Sequence, residues 1–265
     1  DAPALCSDMG EAYDVLVEAS PVNLTDGGVG LVCARLALMS GKFAVLANKA
    51  PLVLAFQELT QLAGPGRLFY SATVCGGLPV LNVGRRDLAC ACAEFSCVRG
   101  IFNSTTNYML TEMVAGRSFD AALLKAQELG IAEADPSLDV DGWDAANKLV
   151  IIVNHVLGFP AKLGDVAVEG IRALTPAMVA EAQTAGSTYK LVATAKKSPE
   201  GFALSVKLDA LPDRDFLARV NGWEMGVEFH TDIFEVVSLK IDETSVAPTS
   251  AAVLRDIIHC CGAAS

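Results

Sequence analysis

The chain has 265 residues, enough for two packed units or one large α/β domain, and 52% of them are hydrophobic. Its formal net charge is −11, with lysines and arginines scattered along the chain, which argues against a nucleic-acid partner because neutralising phosphates takes clustered cations. Mean hydropathy is +0.40, yet no run reaches the roughly 20 apolar residues that cross a bilayer; "LVIIVNHVLGFPA" is broken by Asn154, His155 and Pro160, so a buried core and no membrane segment are expected.

The first part alternates strand and helix. It has no initiator Met and enters a strand almost at once, with "YDVLVEAS" reading as a buried strand that ends at Ser20. "GLVCARLALMSG" reads as a helix closed by Gly41, "KFAVLAN" as a second strand ended by "NKAP", "LVLAFQELTQLAG" as a helix and "RLFYSATV" as a third strand. A βαβαβ order implies parallel strands with right-handed crossovers, half of a doubly wound dinucleotide-binding domain. The cluster "TDGGVG", Thr25 to Gly30, lies between a strand and a helix, but its loop is too long and its spacing wrong for G-x-G-x-x-G; it reads as a turn. Lys49 follows the carboxyl end of the second strand, where doubly wound sheets place ligands. A loop lysine pointing into water is the equally open alternative.

The pattern then changes. "SATVCGGLPV" bends the backbone sharply and can aim carbonyl oxygens at a cation, or serve only as a tight connection. "CGGLPVLNVGRRDL" enters a short helix, "CAEFSCVRGIFN" is strand-like, and "STTNYMLTEMVAG" is a helix suited to capping by Ser104 or Thr105. "SFDAALLKAQELG" is a helix capped by Ser118 and stopped by Gly130. An acid-rich loop leads to the helix "GWDAANKLVIIVNHVLG". "TYKLVATAKKSPEGFALSVKLDAL" and "GVEFHTDIFEVVSLKID" alternate as antiparallel strands, and "TSAAVLRDIIHCC" is a last helix returning to the first unit. The eight cysteines lack paired CxxC spacing, so free, partly buried thiols in a reducing compartment are expected.

The acid-rich stretch "GIAEADPSLDVDGWDAANK" holds Glu133, Asp135, Asp139, Asp141 and Asp144 and closes on Lys148. Asp144 and Lys148 stand at i and i+4, so they share a helix face. On spacing alone the pair is a solvated salt bridge worth about 0.3–0.5 kcal/mol. The apolar run Val150 to Val153 directly after the lysine offers another reading, an amine partly withdrawn from water and able to give up a proton. Asp135 and Asp141 read equally well as loop acids and helix caps.

"DVLVEASPVNL", "VLANKAPL", "SATVCGGLPV", "GIFNSTTNYMLTEM", "AQELGIAEADPSLDVDGWDAANKLVI" and "EGIRALTP" together resemble successive landmarks of the homoserine dehydrogenase family, from near residue 14 to near residue 180. The resemblance implies an α/β chain: an incomplete doubly wound Rossmann-type domain over residues 1–73, with 246–265 returning to it, and an α+β substrate and dimerisation domain over 74–245. It implies reversible reduction of aspartate semialdehyde to homoserine with NADH or NADPH, feeding threonine, methionine and isoleucine synthesis. A homodimer is implied, in the cytoplasm, or in a plastid for a photosynthetic source. By the same resemblance Lys148 is the proton donor and Lys49 bridges cofactor and substrate. Glu133 and Asp144 bind the substrate, Asp139 supports them, and Thr105 belongs to a helix start that binds the substrate carboxylate. Ser20 and Gly130 lie near the cofactor, and the carbonyls of Val74, Gly76 and Leu78 match sodium ligands.

Three departures accompany the resemblance. The family's G-x-G-x-x-G segment belongs upstream of Asp1, so the sequence is expected to be a fragment. Ser71 stands where the family often has a glutamate at the sodium site, which puts the cation in doubt. "KIDETSVAPTSAAV" replaces a Gly-rich turn, with Asp242 and Glu243 unfavourable near a phosphate. A non-catalytic homologue that binds an amino acid or a partner subunit is the alternative; the retained Glu133, Asp144 and Lys148 oppose it.

Overall fold

The computed structural model describes Ala4 and residues 12 to 263, apart from the side chains at 261 and 263. It divides into two compact units, residues 1–82 with 245–265, and residues 83–244.

The first unit is built on a parallel sheet of β1 (Val15–Glu18), β2 (Phe43–Leu46) and β3 (Leu68–Phe69), in that order. The crossovers are α1 (Gly28–Met39) and α2 (Ala50–Ala63). The glycine cluster is the turn that precedes α1. The Gly28 N–H is already taken by Asp26 Oδ1 at 2.8 Å, and that carboxylate repels a phosphate from the helix start. Gly30 is required for a different reason: a Cβ there would come within 2.9 Å of Asn48 Nδ2 and Glu18 Oε1.

The third strand is shorter than its sequence suggests. Ser71–Thr73 coil into a 3-10 turn, because the Ser71 N–H leaves the ladder for the buried carboxylate of Asp256, 2.8 Å away on the C-terminal helix Ala247–Ala263. Gly77 packs against Pro248 of the same helix, where a Cβ would collide. These contacts tie residues 71–82 to the first unit, so the seam falls after Asn82 and not at 73/74.

The first unit also holds the short α3 (Val80–Asn82), and the second unit opens with a π-helical turn, Val83–Leu88. There follow β4 (Phe95–Ile101), α4 (Ser104–Val114), α5 (Phe119–Glu128), α6 (Ser137–Val140) and α7 (Trp143–Ile152). After β5 (Val166–Val168) and α8 (Pro176–Thr184) come the hairpins β6 (Ser187–Ser198) with β7 (Gly201–Pro212), and β8 (Glu224–Thr231) with β9 (Val236–Asp242). The sheet order is β5-β7-β6-β4-β8-β9, antiparallel except where β5 runs parallel to β7.

Helix α7 is the central element. Ala145, Ala146 and Leu149 to Val153 are each at most 1% exposed, and burying each large aliphatic side chain contributes roughly 1.5–3 kcal/mol. Its start is fixed by Gly142 at φ 84, where a side chain would press on Val168 and Val206. Its end widens into a π turn, Val153–Leu157, stopped by Gly158 at φ 61. Asn154 Nδ2 satisfies the carbonyls of Val150 and Ala161 there, at 2.9 and 2.8 Å.

The loop before α7 is held to the sheet. The Ile171 N–H donates to the Val140 carbonyl at 2.8 Å, Gly170 lies so close to that carbonyl that no Cβ fits, and Arg172 pairs with Asp141. The cap of α4 differs from the expected one. Asn103 fills the position, its Oδ1 accepting from the Thr106 N–H at 2.8 Å, while Ser104 and Thr105 are already inside the helix. Ser118 caps α5 by accepting from the Ala121 N–H at 3.2 Å, and Gly130, at φ 73, ends it.

Six cysteine side chains are described: Cys33, Cys75 and Cys260 buried, Cys97 half-buried, Cys90 and Cys92 exposed. Those of Cys6 and Cys261 lie outside the described residues. Among the described residues no helix is long and apolar enough to cross a membrane.

His155, half-buried in the π turn, contributes sensitivity to acid. Burial, then the charges of Arg85 and Arg86, lower its pKa from 6.5 to about 4. The unfolded chain therefore takes the proton first, and stability is lost as pH falls from 6.5 towards 4, by roughly 2–3 kcal/mol. Urea unfolding at stepped pH should show this loss, and His155→Leu should flatten that part of the curve.

Candidate active site

Two sets of functional side chains stand out, one in each unit. In the second unit the acid-rich run is sorted by the fold into separate roles. Asp144 and Lys148, one turn apart on α7, form an ion pair of 2.8 Å with side chains only 9% and 15% exposed. The Lys148 ammonium also donates to the Phe102 carbonyl at 2.7 Å, where β4 has ended and α4 is about to begin. This is not a solvated surface bridge: the amine is fixed between two oxygens on rigid elements.

Asn103 completes the arrangement. Its Nδ2 donates to Asp139 Oδ1 at 2.7 Å and to Asp144 Oδ2 at 2.8 Å, while its Oδ1 receives the Thr106 N–H and hydroxyl. Asn103 is 6% exposed. The Asp139 carboxyl is pushed above its ordinary range by burial and next by the Asp144 charge; Asn103, Lys148 and Thr105 pull it back. Two carboxyls are thus held on one amide.

The remaining acids do other work. Asp135 accepts from the Ser137 N–H at 3.1 Å, which starts α6; the Ser137 hydroxyl first, and then that N–H, hold the exposed Asp135 carboxyl below its usual range. Asp141 is engaged by Arg172. Glu133 is exposed, and its backbone carbonyl accepts from Gln127 Nε2 at 3.0 Å. Gly130 lies on the surface just before it. Thr105 donates its hydroxyl to the Ile131 carbonyl at 3.2 Å and supports the Asp139 carboxylate. The hydroxyl thereby fastens the acid loop to α4.

In the first unit, Ser20, Asn48 and Lys49 follow the carboxyl ends of β1 and β2. Asn48 Oδ1 accepts from the Ala50 N–H at 2.9 Å, fixing the first turn of α2, and its Nδ2 reaches Ser20 Oγ at 3.4 Å. Lys49 is half-buried at the N-cap of α2. Glu18 is 4% exposed; Oε1 accepts from the Ser20 N–H at 2.7 Å, while Oε2 has no hydrogen-bond partner among the described residues. In the 74–78 turn, Cys75 and Gly76 take φ of 54 and 55, and the Leu78 carbonyl already accepts the Val80 N–H at 2.7 Å. The Ser71 hydroxyl donates to Asp256 Oδ1 at 2.7 Å. Among the described residues no three His, Cys, Asp or Glu side chains converge as a metal site.

The sequence model of the family described as homoserine dehydrogenase matches residues 79–258. The homoserine dehydrogenase of Methanocaldococcus jannaschii is 36% identical over 93% of this chain and 72% of its own length. The NAD(+)-dependent homoserine dehydrogenase of Pseudomonas canavaninivorans is 33% identical over 93% and 70%. Among solved structures, a homoserine dehydrogenase from Thiobacillus denitrificans superposes with a TM-score of 0.90 at 29% identity, over all of this chain and 61% of that one. One from Thermoplasma acidophilum gives 0.79 at 31% identity, over 94% and 75%. With its parallel Rossmann-type sheet, its α+β second unit and these relatives over almost its whole length, the chain belongs to the homoserine dehydrogenase family of oxidoreductases acting on a CH–OH group.

Proposed function

We propose that this chain carries the substrate-reducing machinery of a homoserine dehydrogenase, interconverting aspartate 4-semialdehyde and homoserine with NAD or NADP as hydride carrier, within threonine, methionine and isoleucine synthesis. The carrying observation is the Lys148 ammonium, held at 2.8 Å from Asp144 and 2.7 Å from the Phe102 carbonyl and largely withdrawn from water.

When hydride reaches the aldehyde carbon, the oxygen becomes an alkoxide that must be stabilised and protonated. Lys148 supplies both, first as a fixed positive charge and then as the acid; in the reverse direction the amine takes the hydroxyl proton. Asp144 keeps the nitrogen in place and favours its protonated form between turnovers. The α-ammonium of the substrate calls for anionic partners, and Glu133 and Asp144 are those we assign. Asp139, held on the same Asn103 amide, supports Asp144.

The residues at the carboxyl end of the parallel sheet fit a nicotinamide nucleotide. The buried, unpartnered Oε2 of Glu18 is an acceptor suited to ribose hydroxyls or a carboxamide N–H, with Ser20 and Lys49 following the same strands. A bound nicotinamide supplies or accepts the hydride. For a sodium ion, the carbonyls of Val74 and Gly76, with the second lone pair of Leu78, are the ligands we assign. We also assign a homodimer formed through the six-stranded sheet; exposed Ile233, Phe234 and Val236 at the β8–β9 end support an apolar contact there.

In the complete enzyme, Lys148→Ala should lower kcat by about 10²–10⁴ with little change in substrate affinity. An unchanged rate and pH profile would remove Lys148 as proton donor and revive the non-catalytic reading. Asn103→Asp keeps a cap but replaces two donors by a third carboxylate; steady-state kinetics should show kcat/KM falling by roughly tenfold or more. Glu133→Gln should act mainly on substrate KM, and a loss confined to kcat would contradict its assignment.

A further inference from the structure

Lys190 lies near the start of β6 and is 1% exposed, and nothing in the proposed reaction uses it. Its ammonium donates to Asn107 Oδ1 at 3.1 Å, to Asn221 Oδ1 at 2.9 Å and to the Val220 carbonyl. Three hydrogens meet three neutral oxygens, so protein dipoles solvate the charge in place of water. Asn107 extends the network by donating Nδ2 to the carbonyls of Gly222 and Glu224 at 3.3 and 3.0 Å. One turn further along α4, Thr111 Oγ1 accepts from the Gly222 N–H at 2.9 Å. A single ammonium thus fastens α4 to β6 and to the 220–224 turn. Four residues before Asn107, on the same side of α4, stands Asn103 with Asp139 and Asp144 on its amide.

We propose that Lys190 is a positioning residue for the active site: through Asn107 it sets where α4 begins, and thereby where Asn103 holds Asp144 and where the Phe102 carbonyl holds Lys148. The catalytic consequence rests on the reaction proposed above, whereas the anchoring of α4 rests on the hydrogen bonds alone.

The network carries a dependence on pH. Burial lowers the Lys190 pKa from 10.5 to about 8, partly opposed by Glu224. Charged groups on the surrounding elements include Asp209 opposite it on β7, Arg99 on β4, Glu112 on α4, Asp144 and Lys148 on α7, Glu181 on α8, Arg219 beside Val220, and Glu224 with its partner Lys240. Of these, Glu224 is the one whose charge acts on the ammonium. Once a proton leaves, two hydrogens serve three oxygens and one attachment is lost. Global stability moves the other way. The folded-state pKa lies below the ordinary value, so the unfolded chain keeps the proton longer and this group adds stability as pH rises from 8 to 10.5. Loosening of α4 in that window is therefore distinct from unfolding.

The test uses the complete enzyme as wild type, Lys190→Arg and Lys190→Met, with amide hydrogen exchange and steady-state kinetics from pH 7 to 9.5. In the wild type, exchange in the first two turns of α4 should accelerate about fivefold beyond its intrinsic pH dependence on passing pH 8, with kcat falling in parallel. Lys190→Arg, charged throughout, should lose both steps. Lys190→Met should show the faster exchange already at pH 7, with kcat lowered roughly tenfold and the KM for the dinucleotide unchanged. Steady α4 protection across pH 8 in the wild type overturns the proposal, as does faster exchange in Lys190→Met at unaltered kcat. A wild type without dehydrogenase turnover at any pH would sink the assigned reaction instead, and exchange alone would then decide whether the anchor exists.

Discussion

The second unit depends on one amide. Asn103 ends the entry to α4 by accepting the Thr106 N–H, and its other half holds Asp139 and Asp144 together. A cap of this kind contributes about 1 kcal/mol, and each hydrogen bond to a charged group about 1.5–3 kcal/mol. Those bonds offset the repulsion between two carboxyls that share a neighbour. The ion pair of Asp144 with Lys148 then inherits its position from a helix cap, so the chemistry and the start of α4 cannot vary separately.

The two units differ in architecture, and each gathers its own set of polar side chains. A parallel sheet gathers its chain ends on one side, and there Ser20, Asn48 and Lys49 follow consecutive strands, with Glu18 buried beneath them. The second unit, mostly antiparallel, supports α7, whose apolar body leaves Asp144 and Lys148 only slightly exposed at its first turns. Placing reactive groups on helices packed against a sheet limits their movement far more than a loop would. The exposed Glu133, after the end of α5, is the exception and lies outside any helix or strand.

Much of this was legible in the residues. The βαβαβ order, the two hairpins, the Ser118 cap and the burial of Val150 to Val153 follow from periodicity and turn chemistry, and the structure bears each out. The third strand was overextended because nothing local announces that Asp256, 185 positions away, takes the Ser71 N–H. The cap of α4 lies one or two residues before the hydroxyls of Ser104 and Thr105 that the sequence offers, on Asn103, which is as good a cap as Ser. Spacing alone made Asp144 and Lys148 a surface bridge, since it does not reveal the Phe102 carbonyl that closes over the amine. Lys190 left no trace in sequence at all: within "TYKLVATAKK" it looks like one more outward charge on a strand, and only the tertiary fold surrounds it with oxygens.

The attachment of the acid-rich segment has its own implication. Val140 accepts from Ile171, Gly170 lies flush against the same backbone, Arg172 clasps Asp141, and Gly142 is pressed by two valines of the sheet. A stretch riveted at so many points behaves as part of the floor, not as a flap. Inserting residues between Val140 and Gly142 would therefore deform the floor and could not act as slack in a loop.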